Sequence, residues 1–125
     1  MRKVLLDTNF LLVPYQFKVD IFTQVEELLE QAHAFIVPSG VIRELENLAK
    51  GKGKEGAAAR FGIKLIRHHN PEKVESSGNV DDWILSYAKE TGAIVATNDR
   101  KLRVKLKKNN VKVISLLSRS RVGVV

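Results

Sequence analysis

The sequence predicts an α/β fold built on a mainly parallel sheet. Three observations carry that prediction. Val4-Leu5-Leu6 and Ala93-Ile94-Val95-Ala96-Thr97 are short runs with almost no polar alternation, as expected of strands buried on both faces. Elsewhere apolar residues recur at helical spacing, so strands alternate with helices. Pro38 and Gly92 punctuate the boundaries between the two patterns.

Element by element, the first strand covers residues 4–6 and stops at Asp7. Phe10, Leu11 and Leu12, followed by Pro14, predict a turn and a short helix. Across residues 20–31, Ile21, Phe22, Val25, Leu28 and Leu29 fall at helical spacing, with Glu26, Glu27 and Glu30 between them. Residues 34–37 read as a second strand, ended by Pro38. Ser39 is placed to cap a helix over residues 39–49, whose apolar positions are Val41, Ile42, Leu45, Leu48 and Ala49. Residues 50–56 read as a basic, flexible loop, and residues 57–69 as a helix. A short strand is expected over 73–75, then a Ser76-Ser77-Gly78 loop. Asn79 caps a helix to about Thr91, which Gly92 stops. Residues 99–108 form a strongly basic helix and residues 111–114 the last clear strand. Residues 121–125 are candidates for an added edge strand.

The 125 residues fit one domain with a single core, spanning 1–125. Lysine and arginine total 21 against 14 Asp and Glu, a formal charge of +7. That balance favours an acidic partner such as nucleic acid, although small basic proteins also occur without one. No cysteine is present, which excludes disulfides, thiolate zinc sites and a cysteine nucleophile, and is compatible with a reducing cytoplasm. Asp7 interrupts the first apolar run too early for a signal peptide. No stretch approaches the roughly 18 apolar residues of a membrane helix, so a soluble protein with no membrane partner is expected.

Four acids stand out: Asp7, Glu44, Asp81 and Asp99. Asp7 and Asp99 follow the two clearest strands, whose carboxyl ends line the ligand crevice of an open parallel sheet. Asp81 shares a helix face with Ile84, Leu85 and Ala88, while Asp82 lies about 100° further round. Glu44 borders the stripe of Val41, Leu45 and Leu48. Singly, each has an ordinary reading: Asp81 and Asp82 as helix N-terminal acids, Glu44 as a surface ion-pair partner, Asp7 and Asp99 as turn or first-turn residues. Together they are harder to explain. At about 5 Å and an effective dielectric near 20, each like-charged pair costs roughly 3 kcal/mol. Protonation or a divalent cation relieves that cost. Oxygen ligands without cysteine or clustered histidine favour Mg²⁺ or Mn²⁺, ions that activate water and stabilise charge on a phosphodiester.

The same residues resemble the motifs of the PIN-domain nucleases. Leu5-Leu6-Asp7-Thr8-Asn9 is similar to the opening motif, and Val41-Ile42-Arg43-Glu44-Leu45 to the second acid on its helix. Asp81-Asp82-Trp83-Ile84-Leu85-Ser86-Tyr87-Ala88 resembles the third motif and Thr97-Asn98-Asp99 the fourth. Each motif is weak alone; their order and spacing across almost the whole chain make the set specific. The resemblance implies a three-layer α/β/α sandwich, often in a homodimer, and divalent-metal-dependent cleavage of RNA. Asp7, Glu44, Asp81 and Asp99 carry over as the catalytic, metal-holding quartet. Thr8, Asn9, Thr97 and Asn98 would hold carboxylates or waters behind them, with Asp82 a lesser candidate. Two settings are implied: a VapC-like toxin with an antitoxin partner, or ribosomal RNA maturation with an assembly partner. The run from Asp81 to Lys108, similar to archaeal PIN proteins and those of eukaryotic ribosome assembly, favours the second. A non-catalytic RNA-binding or assembly module and a DNA nuclease are the rival readings.

Other features are weaker. Arg100, Lys101, Arg103, Lys105, Lys107 and Lys108 form the densest basic run, begin beside Asp99, and are expected to contact RNA phosphates. The Gly51–Gly56 segment lacks the Gly-Lys-Ser/Thr of a Walker loop. Trp83 and Tyr87 are expected to pack in the core or an interface rather than stack a base, and His68 and His69 to lie at the surface near a helix end.

Overall fold

The computed structural model describes residues 1–125. Six strands form one sheet: β1 (Arg2–Leu6), β2 (His33–Pro38), β3 (Glu72–Val74), β4 (Ile94–Ala96), β5 (Val113–Ser118) and β6 (Arg121–Val124). Their order is β3-β2-β1-β4-β5-β6, and every pair is parallel except β5–β6. The helices are α1 (Thr8–Phe17), α2 (Ile21–Leu28), α3 (Ser39–Ala49), α4 (Gly53–His69), α5 (Val80–Thr91) and α6 (Arg100–Lys108). The α/β expectation holds, including the added edge strand at the C-terminal end. No helix is long and apolar enough to cross a membrane.

Alternating strand residues divide the core into two layers. Val4 and Leu6 of β1, Val37 of β2, Ile94 and Ala96 of β4 and Ile114 of β5 face α1 to α4. Leu5, Ile36, Val95 and Val113 face α5 and α6, meeting Ile84, Ala88, Leu102 and Leu106. Helices on both faces make the three layers. The chain builds β1, β2 and β3 outward in one direction, then returns to place β4 against the other side of β1. The strand order therefore reverses between β1 and β4, and that crevice is where such a sheet exposes its strand ends to ligands.

Several local readings are corrected. In place of the expected turn, the helix α1 begins at Thr8, directly after Asp7, and runs through Pro14 to Phe17, with Phe10, Leu11, Leu12, Val13 and Pro14 all buried. That burial offsets the roughly 3 kcal/mol an interior proline costs. Ser39 does not cap α3: Pro38 holds the cap position without a side-chain bond. Ser39 Oγ instead accepts from Ser76 N at 2.8 Å, and Gly40 N donates to Ser76 Oγ at 2.8 Å, latching the loop after β3 onto α3. The loop after α3 is shorter than expected, because α4 begins at Gly53. Arg60 closes this corner by donating through Nη1 to Ala49 O at 2.8 Å and Gly51 O at 3.0 Å. The helix from Asp20 stops at Leu28, with Leu29 extended.

Besides its antiparallel pairing with β5, the edge strand is tied to α2 by one side chain. Gln24 of α2 accepts from Val122 N at 2.7 Å and donates to Ser120 O at 2.9 Å. Gln24→Ala removes both bonds and is expected to cost about 1–2 kcal/mol, read as a lower urea midpoint with an unchanged slope. An unchanged midpoint would show that the pairing with β5 and the burial of Val122 are enough to hold β6.

Candidate active site

Asp7 closes β1 at the reversal point. Its N–H donates to Ala96 O of β4 at 3.0 Å, which ties it to the neighbouring strand end. Its carboxylate caps α1 by accepting from Thr8 N at 2.8 Å, and accepts from Thr97 Oγ1 at 2.7 Å. The residue is only 5% exposed. Burial pushes its carboxyl up to about 6; the bonds from Thr97 and Thr8 oppose that, and the charges of Asp81 and Glu44 add to it.

The other three acids converge on the same crevice. Glu44, exposed on α3, accepts a 2.6 Å bond from Thr8 Oγ1. Asp81, half-buried in the first turn of α5, has its carboxyl raised first by burial, then by Asp99 and Glu44, against the pull of Lys105. Asp99 caps α6 by accepting from Leu102 N at 3.1 Å. Repulsion thus links Asp7 to Glu44 and Asp81, and Asp81 to Glu44 and Asp99. Asp82 lies exposed beside them; its backbone N–H donates to the cap residue Asn79, and its charge contributes least to Asp81.

Behind the acids, the neutral residues interlock. Besides holding Asp7, Thr97 Oγ1 accepts from Asp99 N at 3.1 Å. Asn9 Oδ1 accepts from Asn98 N at 2.9 Å. Asn98 Oδ1 accepts from Leu116 N at 2.9 Å and from Ser115 Oγ at 2.8 Å. The motif after β1 and the motif after β4 are therefore joined to β5 as well. Ser115, fully buried, was missed by the sequence reading; the signal was a lone polar residue inside the apolar run of β5.

No three acidic or histidine side chains already stand arranged to hold a metal ion. The donor chemistry does fit a hard divalent cation: the candidate donors are all carboxylate oxygens, and the carboxyls of Asp7 and Asp81 are shifted towards the protonated form where they stand. Glu44 is exposed and Asp81 and Asp99 are half-buried, so all three are reachable from solvent.

The basic helix flanks this crevice. Leu102 and Leu106 are buried, Arg100, Lys101, Lys105 and Lys107 are exposed, and Arg103 is half-buried. Lys105 lies on the side of Asp81, whereas Arg103 reaches Ser115 Oγ at 3.5 Å. Trp83 and Tyr87 are half-buried and stack on each other at 4.8 Å, with Lys3 Nζ donating to the Tyr87 hydroxyl. His69 stacks on Phe22 at the end of α4, away from the acids.

Comparison with known proteins agrees with this fold. The chain is 36% identical to Ribonuclease VapC4 of Methanocaldococcus jannaschii, over 91% of this chain and 89% of that protein. It is also 36% identical to Ribonuclease VapC9 of Archaeoglobus fulgidus, over 99% of this chain and 90% of that protein. The solved structure of the PIN domain endonuclease Utp24 shares the fold, with a TM-score of 0.81 at 24% identity, covering 98% of this chain and 90% of that one. The family described as a PIN-like domain matches residues 4–119, so the chain belongs to that family.

Proposed function

We propose that this chain is a divalent-metal-dependent ribonuclease that hydrolyses RNA phosphodiester bonds. The observation that carries the reading is the convergence of four carboxylates at the sheet's reversal point, one of them buried with its carboxyl pushed up to about 6. Such a site is costly without a cation and suited to one. The names of the two relatives, both ribonucleases, support RNA as the substrate.

Asp7, Glu44, Asp81 and Asp99 would hold Mg²⁺ or Mn²⁺. When bound, such an ion makes water nucleophilic near neutral pH and offsets charge gathering on the phosphodiester. The chain's own residues prepare the site. Thr97 and the Thr8 amide fix the Asp7 carboxylate, and the Thr8 hydroxyl orients Glu44. Arg100, Lys101, Arg103, Lys105 and Lys107 draw the RNA backbone along α6, with Lys105 nearest Asp81. Hydrolysis by water leaves a 5′-phosphate and a 3′-hydroxyl.

The working setting is the cytoplasm, and the protein acts as a homodimer. The VapC names of the relatives favour a toxin with an antitoxin partner over a role in ribosomal RNA processing with an assembly partner. Growth arrest on expression separates the two.

The test incubates the purified protein with single-stranded and structured RNA in Mn²⁺, Mg²⁺ or EDTA and identifies the product ends. Cleavage that requires the ion and yields 5′-phosphates is expected. RNA binding without cleavage under every condition would instead mark a non-catalytic RNA-binding or assembly module. Equal cutting of DNA would mark a general nuclease.

A further inference from the structure

Beside the acids lies a groove of about 440 Å³, within the roughly 300–1,000 Å³ range of small-ligand sites. It is lined by Asn9 and Asn98 on the acid side, by Arg103 and Ser115, and by Gln16 and Phe17 at the end of α1. None of the acid quartet lines it.

Its polar groups have a defined sense. The Asn9 oxygen accepts from the Asn98 backbone N–H, and the Asn98 oxygen accepts from the Leu116 N–H and the Ser115 hydroxyl. Those bonds fix which end of each amide is which. The Nδ2 groups of Asn9 and Asn98 remain as donors without a partner in the chain. Arg103 adds a guanidinium whose one bond within the chain is the long 3.5 Å contact to Ser115. The fixed groups of the acid-side wall are thus all donors and suit an acceptor-rich, anionic ligand. At the other end Phe17, 37% exposed, offers an aromatic surface, with the exposed Gln16 amide beside it.

We infer that this groove is a nucleotide subsite that holds one nucleotide of a single RNA strand next to the bond to be cut. Acceptor atoms of that nucleotide meet Asn9, Asn98 and Arg103, and its base stacks on Phe17. Base–aromatic stacking tolerates any base, whereas Gln16 can discriminate among base edges. The inference rests on the ribonuclease reading for the site next door, but binding tests it without cleavage.

The experiment measures fluorescence anisotropy of the whole protein with labelled single-stranded RNA decamers in EDTA. One decamer is intact; the others carry an abasic nucleotide at successive positions. Wild type is expected to lose about ten-fold in affinity at a single abasic position. Phe17→Ala should lose a similar factor on intact RNA and nothing further at that position, while Phe17→Tyr binds as wild type does. Coupling of this kind separates stacking from a merely structural effect. Equal affinity of wild type and Phe17→Ala for intact RNA would overturn the subsite and leave the ribonuclease reading untouched. So would equal losses at every abasic position in both proteins. The expected coupling in a protein that cuts no RNA with Mn²⁺ would uphold the subsite and remove the nuclease.

Discussion

Asp7→Asn is expected to cut RNA cleavage by at least about 10²-fold and yet make the metal-free protein more stable. The two effects have one origin. Asp7 is buried at a strand end, and its carboxyl is pushed up to about 6 from 3.8. A raised carboxyl pKa means the folded state binds its proton more tightly than the unfolded chain. Below about pH 3 the group is protonated in both states and costs nothing. As pH rises towards 6 the unfolded chain ionises first, so the folded state loses stability relative to it. Above 6 the penalty levels off at about 3 kcal/mol. Asparagine never ionises. Its Oδ1 can still accept from Thr8 N, and its Nδ2 can donate to Thr97 Oγ1, whose hydroxyl hydrogen can turn to Asn9 Oδ1 at 3.4 Å. The expected result is a melting temperature in EDTA that matches wild type at about pH 3 and exceeds it increasingly up to about pH 6.5. Cleavage should fall by about 10²–10³-fold or more, as when a group stabilising transition-state charge is removed. A variant less stable than wild type at pH 7 would show that Asp7 holds the fold rather than straining it.

Gly56→Ala carries the largest expected loss of stability. A Cβ at Gly56 would stand 2.1 Å from the Gly51 carbonyl oxygen and 2.8 Å from its carbon. Both are backbone atoms of the corner between α3 and α4, which Arg60 holds shut through two carbonyls. Alanine gains about 1 kcal/mol of helix propensity over glycine. Overpacking against backbone costs about 3 kcal/mol here, so a net loss of about 2 kcal/mol and a melting temperature about 10 °C lower are expected. An unchanged melting temperature would mean that the corner opens freely and that Arg60 does not set it.

Much of the fold was legible in the sequence because its signals are local. The runs at residues 4–6 and 93–97 are too apolar to face water, and Asn79 and Gly92 mark both ends of α5. The boundaries that moved depend on distant contacts. Pro14 sits inside a helix whose preceding turn, Phe10 to Val13, is buried, and Ser39 bonds to Ser76, 37 residues away, rather than to its own helix. Gly53 and Gly56 looked like loop residues, but one starts α4 and the other lies against a carbonyl where no side chain fits. The acids could be named because their positions at strand ends and on apolar helix faces are written in the sequence. Thr8, Asn9, Thr97 and Asn98 could be named behind them; what the sequence withheld was the rest of that layer and the groove beside it. Ser115 touches Asn98 only because β5 lies beside β4, and Phe17 joins the groove only through the fold.

The central claim is that the four carboxylates act together on RNA through a divalent ion. The most direct measurement is the initial rate of RNA cleavage against Mn²⁺ concentration, for wild type and Asp99→Asn side by side with matched melting curves. The account predicts a saturable rise in wild type, none in EDTA, and a folded Asp99→Asn protein at least about 10²-fold slower at every Mn²⁺ concentration. Asp99→Asn cleaving at the wild-type rate, or wild type cleaving fully in EDTA, would contradict it.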